Sequence, residues 1–364
     1  MGFTPISFDS RAIAAQKGLS LIELLVALAL SATLILGIFT VYMDSSQTSR
    51  LSTSLARIQE SARIGVDIIA RDLRMVGFQG CADPDDVTMN VIADNPPTSD
   101  FFATTLRAWE VTGPNWAAGT EFDDLSIESN ARVGSDVIAV QRGEIANVEL
   151  TGNVTSVNAN VQVAGADVNQ FSQNDMVLIS DCESADLFRI SSTPSSGTWA
   201  HASNVNSSSK LSQAYNEDSR VMRFSSTIYY VADTGRDDSL GEDIYALYRA
   251  RDNLLNAATP TFQIDELVEG VESLQIELGE QLPSNSFRYA TADDGSLDMT
   301  RVVAARIGLL VSDSERVRDD NDQASYDLPG ELITAASGSG AVKHPEDRRL
   351  RRSFITTVTL RNRD

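Results

Sequence analysis

Glu23 is the one charge in an apolar run from Leu19 to Met43. Burying a carboxylate in a membrane-type segment costs on the order of a few kcal/mol, so its presence there points to a partner charge and a function. The bland alternative is a signal anchor that tolerates one glutamate near its cytoplasmic end by snorkelling. Other candidate chemistry is sparse. The only histidines are His201 and His344, and the chain lacks GxSxG, HExxH, P-loop and GxGxxG patterns, so no catalytic residues, no enzyme activity and no cofactor are expected. The acidic groups Asp319 to Asp322, and Asp293 and Asp294 with Asp298, could offer oxygen ligands to Ca²⁺. They lack the spacing and terminal glutamate of an EF-hand and read as solvated loops, with no metal site. Cys81 and Cys182 form no CxxC, which leaves pairing with each other as the expected role. Trp109, Trp116 and Trp199 read as loop residues, either packing anchors or surface contacts.

The element that must position Glu23 is a helix. Its apolar part is about 24 residues, enough at a rise of ~1.5 Å per residue to cross a ~30 Å hydrocarbon core. Arg11 and Lys17 precede it and no small-residue cleavage site follows it, so the segment is expected to be retained with its basic flank cytoplasmic and the rest outside. An oxidising exterior favours a Cys81–Cys182 disulfide. The apolar period continues through Leu51, Leu55, Ile58, Ala62, Gly65, Ile69, Leu73 and Val76, with Arg63, Asp67, Arg71, Asp72 and Arg74 on other faces. One helix is therefore expected to be apolar all round in its first half, to lay a single stripe on a globular head in its second, and to end at Gly77 and Gly80.

Beyond Cys81 the sequence alternates like strands. Segments 135–140, 175–180, 187–191, 271–278, 301–311 and 353–360 are predicted strands, and 222–232 with 243–251 a hairpin around the turn 233–241. Loops are expected at 94–100, 191–210 and 313–340. Net charge is −22, which argues against nucleic acid as a partner. Against that trend Lys343, Arg348, Arg349, Arg351, Arg352, Arg361 and Arg363 crowd the C-terminal end. A solvated basic strand is the favoured reading, with docking of an acidic partner or intramolecular pairing as alternatives.

Lys17-Gly18-Leu-Ser-Leu-Ile-Glu23 resembles the processing site of type IV prepilins. The resemblance implies cleavage by a prepilin peptidase between Gly18 and Leu19, and methylation of the new amino terminus at Leu19, where the family most often has Phe. In such proteins the glutamate, here Glu23, meets a neighbour's amino terminus and sets register. Arg71 to Cys81, Ser180 to Phe188, the segments around Tyr229-Tyr230 and Leu247-Tyr248-Arg249, and Phe354 to Asn362 resemble PilW-type minor pilins. The implied fold is α+β and pilin-like: leader 1–18, long helix 19–78 with its transmembrane part at 19–43, and a large antiparallel β-rich head at 79–364. Implied partners are other minor pilins, the major pilin and the inner membrane before assembly. The implied role is priming assembly near the tip of an extracellular pilus, in the context of adhesion and twitching motility. A type II secretion pseudopilin and a membrane-anchored adhesin are the alternatives. Thr40 stands where major pilins commonly have proline, so no kink is expected there.

Overall fold

The computed structural model describes residues 20–82, 86–94, 105–118, 126–152, 156–252 and 262–363. Helix α1 spans Leu21–Leu73. Leucine, alanine and other good helix formers fill it, and no proline interrupts it. At Thr40 the hydroxyl donates back to the Leu36 and Gly37 carbonyls, both at 2.9 Å, within unbroken helix. Compactness divides the chain into units 1–52 and 53–364, and α1 runs through the boundary.

In the first unit the helix buries none of its large apolar side chains: Leu21 is 76% and Ile22 72% exposed. In the second it buries Ser54, Ile58, Ala62, Gly65, Ile69, Ala70 and Leu73. The spacing is three or four residues, so one stripe faces the core. Leu51, the first residue of the expected stripe, is 40% exposed. The helix stops at Leu73 rather than at Gly77. Its exit tightens through Met75 N–H to Asp72 O and Val76 N–H to Leu73 O before Gly77 reverses direction at φ +71°.

The strands in order are β1 (Asn90–Val91), β2 (Leu106–Glu110), β3 (Asp136–Ile145), β4 (Val161–Gln162), β5 (Met176–Ser180), β6 (Ala185–Arg189), β7 (Thr198–Trp199), β8 (Arg220–Asp237) and β9 (Asp243–Asp252). They continue as β10 (Phe262–Glu269), β11 (Val271–Gln281), β12 (Phe287–Thr291), β13 (Val302–Arg316), β14 (Tyr326–Leu328), β15 (Glu331–Ala335), β16 (Lys343–His344) and β17 (Arg349–Thr359). A short helix, α2, covers Ser126–Asn130. The larger sheet runs β1-β6-β5-β8-β3-β2, with β9 and β10 continuing from β8. β8 is long enough to take β5 on its first half and β9 on its second along the same side, while β3 pairs on the other. The second sheet is β12-β11-β13-β17, antiparallel throughout. The α1 stripe shares one core with both sheets: Ile58, Ile69 and Leu73 cluster with Ile138 and Val231 from the first, and Ile276, Leu309 and Val358 from the second.

Two glycines mark close approaches. A Cβ on Gly65 of α1 would lie 3.1 Å from Leu309 Cδ1 and 3.4 Å from Leu247 Cδ2, so a side chain there would require both leucine methyls to give way by a few tenths of an ångström. Gly270 turns β10 into β11 at φ +86°, and a Cβ there would fall 2.2 Å from the Ser312 carbonyl oxygen.

Several expected loops are structured. Segment 313–340 holds the end of β13 and all of β14 and β15, because short strands packed on a larger sheet carry too few residues to show a period. Segment 191–210 holds β7. The expected loop 94–100 lies, apart from Asp94, outside the described residues.

Candidate functional site

Gly18 and Leu19 lie outside the described residues; the description begins at Ser20. The Ser20 N–H donates to Glu23 Oε2 at 3.0 Å, and the Glu23 N–H donates to Ser20 Oγ at 3.2 Å. This reciprocal pair is a capping box, which satisfies two of the donors that a helix start leaves open. The S-x-x-E spacing of Ser20 and Glu23 is the sequence signal for this box, and it lies within an apolar run where the same glutamate is also the one charge. In the free chain the glutamate is exposed and engaged with its own helix start. A neighbour's cation would compete with a single backbone N–H.

The other end of α1 is tied down from four directions. Cys81 and Cys182 are disulfide-bonded with Cα atoms 4.9 Å apart, which joins the helix exit to the turn between β5 and β6. The Gly77 N–H donates to Gln141 O, and the Gly143 N–H to Phe78 O, so the exit segment runs beside β3 just past the end of β2. Asp72 accepts from the Tyr229 hydroxyl at 2.6 Å and from Arg142 at 3.3 Å. Burial and the adjacent Asp72 charge push the Tyr229 hydroxyl far up, so it stays a donor. Asn362 closes the set by donating to Val76 O at 2.9 Å. The last described residues of the chain thus clamp the exit of its first helix.

The basic C-terminal run is split: Lys343, Arg348, Arg352 and Arg361 are solvent-exposed as expected, but the others are not. Arg349, Arg351 and Arg363 are buried, and the first two are paired. Arg351 meets Glu272 at 2.8 Å and Asp347 at 2.7 Å, with Asp322 at 3.5 Å. Burial alone would raise the Glu272 carboxyl, but the Arg351 guanidinium outweighs it and holds the group at about 2. Arg349 and Arg316 share Asp238, which is buried in the β8–β9 turn. Arg363 donates to Met299 O and to Thr105 Oγ1. Buried charge survives only when paired and hydrogen-bonded, and apart from Asp347 these partners lie far away in sequence.

The expectation of solvated acidic loops fails in the same way at Asp322. It is fully buried and accepts from the Tyr326 hydroxyl at 2.7 Å. Asp294 and Asp298 serve as local caps, accepting from the backbone N–H groups of Ser296 and Thr300. A different acidic meeting was invisible in the sequence. Glu110 and Asp136 are directly opposed on β2 and β3. The Asp136 carboxyl is pushed well up by burial, opposed by the Ile276 N–H and reinforced by Glu110, Asp293 and Glu331. The tryptophans are packing anchors. Trp199 is buried on β7, donates to Val168 O at 3.0 Å and stands edge-on to Phe171, while the Trp109 and Trp116 rings lie 5.9 Å apart.

The prokaryotic N-terminal methylation motif matches residues 13–39, which contain Gly18, Glu23 and the exposed apolar part of α1. The type IV pilus-assembly protein W family matches residues 228–362, from within β8 to the Asn362 clamp. The chain thus carries a prepilin-type methylation motif at one end and a region similar to the PilW family at the other. The β8–β9 hairpin, both glycine contacts on β9 and β13, and the buried arginine cluster of this prepilin-like chain all fall within or against that matched region. Among solved structures, the type IV-like pilin TTHA1219 from Thermus thermophilus is similar at 11% identity and a TM-score of 0.32, over 84% of this chain and 96% of that one. No curated protein sequence matches.

Proposed function

We infer that this prepilin-like protein is a minor pilin of a type IV pilus. Prepilin peptidase cuts after Gly18 and the new amino terminus at Leu19 is methylated. The apolar part of α1 holds the chain in the inner membrane with its head in the periplasm until assembly. There it packs against the helices of other minor pilins and the major pilin, priming the fibre and standing near its tip.

The supporting observation is the pairing of a methylation motif with a helix start whose apolar side chains are covered by nothing in their own unit. Such a surface needs lipid or other helices around it. Within a bundle of helices the only charge available to guide register is Glu23. Cleavage supplies its complement, a free α-amino group on the neighbour. Moving the carboxylate from the Ser20 N–H to that ammonium replaces a bond to a neutral donor with an ion pair, which adds the attraction between two opposite full charges. Desolvation offsets much of this gain, so the pair sets register more than it adds affinity. Glu23→Gln keeps the capping bond to Ser20 and removes the charge. It is expected to leave membrane insertion intact while lowering the amount of the chain in sheared pilus fractions. Normal incorporation of Glu23→Gln overturns this role.

A further inference from the structure

β17 closes the second sheet and pairs with β13 on one side; among the described residues no strand pairs with its other edge. An open edge presents unpaired N–H and C=O groups to any passing strand. Proteins usually blunt it with proline, lysine, an edge bulge or a covering loop. From 353 to 359 the sequence is Ser-Phe-Ile-Thr-Thr-Val-Thr, with no proline, glycine or charge, and it is rich in the β-branched residues that favour strand pairing. Ile355 is 52% exposed, and Ser353, Thr357 and Thr359 are exposed around it. At ~3.3 Å per residue this edge is roughly 23 Å long.

Charge marks its ends. Arg348 and Arg352 lie at one end and Arg361 just past the other; all three are exposed and have no ion-pair partner among the described residues. The contrast with β10, the outer strand next to β9, is direct. There Asp265, Glu266 and Glu269 are already neutralised by Arg249, Arg251 and Arg236. The β17 edge therefore combines open backbone, an apolar contact and uncompensated positive charge in a chain of net charge −22.

The geometry points to the free edge of β17 as a docking strand for an extended, carboxylate-bearing segment of another protein. A second copy of β17 would bring six unneutralised arginines to one seam, twice the three that flank each edge, and like charges brought together across a seam are repelled. Anionic lipid would neutralise the arginines but leave the backbone groups and Ile355 unused. An added strand uses all three features at once: the ladder gives affinity, and alternate side chains with flanking charge give selectivity. This edge is separate from the apolar helix, so the inference holds whether or not the chain enters a fibre.

The test uses the full-length chain in detergent and two short peptides, one alternating glutamate with valine and threonine, the other with lysine replacing every glutamate. The glutamate peptide should bind at least about tenfold more tightly. It should also slow amide hydrogen exchange at Ile355 to Thr359. Joint reversal by Arg348→Glu, Arg352→Glu and Arg361→Glu, all at exposed side chains, should invert the preference with the melting temperature kept. Thr357→Pro should abolish binding of both peptides. Equal binding of the two peptides, or binding without slowed exchange in β17, overturns the proposal. So does an arginine dependence seen only with vesicles containing phosphatidylglycerol.

Discussion

Asp136 and Glu272 are buried carboxylates shifted in opposite directions, and they should respond oppositely to pH. Glu272 is held at about 2 against an ordinary 4.5, chiefly because Arg351 outweighs its burial. Its stabilisation is complete above pH ~4.5 and is lost as pH falls towards ~2. Glu272→Gln should cost about 2 to 3 kcal/mol at neutral pH by leaving Arg351 with less countercharge, and should flatten the acid limb of a urea-midpoint profile. Asp136 is raised, so its contribution is present below pH ~3.8 and is lost as pH rises through its folded value. Asparagine can still accept from the Ile276 N–H, which now reaches Asp136 Oδ2 at 2.7 Å. Asp136→Asn should therefore gain up to about 1 kcal/mol at neutral pH and nothing at pH ~3. A neutral-pH loss in that variant would show that the carboxylate is better accommodated than its neighbours Glu110, Asp293 and Glu331 suggest.

At the scale of elements, the helix and the longer strands could be read from periodicity because each is long enough to show one. The stripe from Ile58 to Leu73 appears where its spacing put it, and the predicted strand 301–311 lies inside β13 but for its first residue, Arg301, which ends a 3-10 turn. What stayed hidden depends on distant partners. Nothing near Arg351 announces Glu272, 79 positions away, so two arginines of a run read as solvent-facing, Arg349 and Arg351, are in fact buried in an ionic cluster while Arg348 and Arg352 beside them do face solvent. Short strands such as β14 and β15 lack a period altogether. Two perturbations test how α1 is held. Gly65→Val places methyl groups against Leu309 and Leu247 and should destabilise by about 1 to 3 kcal/mol, read as a lower denaturant midpoint. Cys182→Ser opens a link between residues 101 apart in sequence, for which chain-entropy reasoning gives roughly 4 to 5 kcal/mol. Its melting temperature should fall to that of the reduced wild type, and a wild-type melting curve unchanged by reductant would contradict the contribution assigned to the bond.

For the whole molecule, the division of labour follows from where charge and apolar surface are placed. One unit keeps its apolar helix uncovered and a single glutamate near its start; the other buries the continuation of the same helix between two sheets and locks its exit with a disulfide, an aspartate and the C-terminal Asn362. In the proposed function such a chain assembles once its amino terminus is released. The most direct measurement of that account is the mass of the native protein recovered from membranes and from sheared pili. Cleavage after Gly18 leaves 364 − 18 = 346 residues beginning at Leu19, and the recovered protein should have that length with one added methyl group. An intact leader in assembled material, or an amino terminus beyond the apolar run, would contradict it.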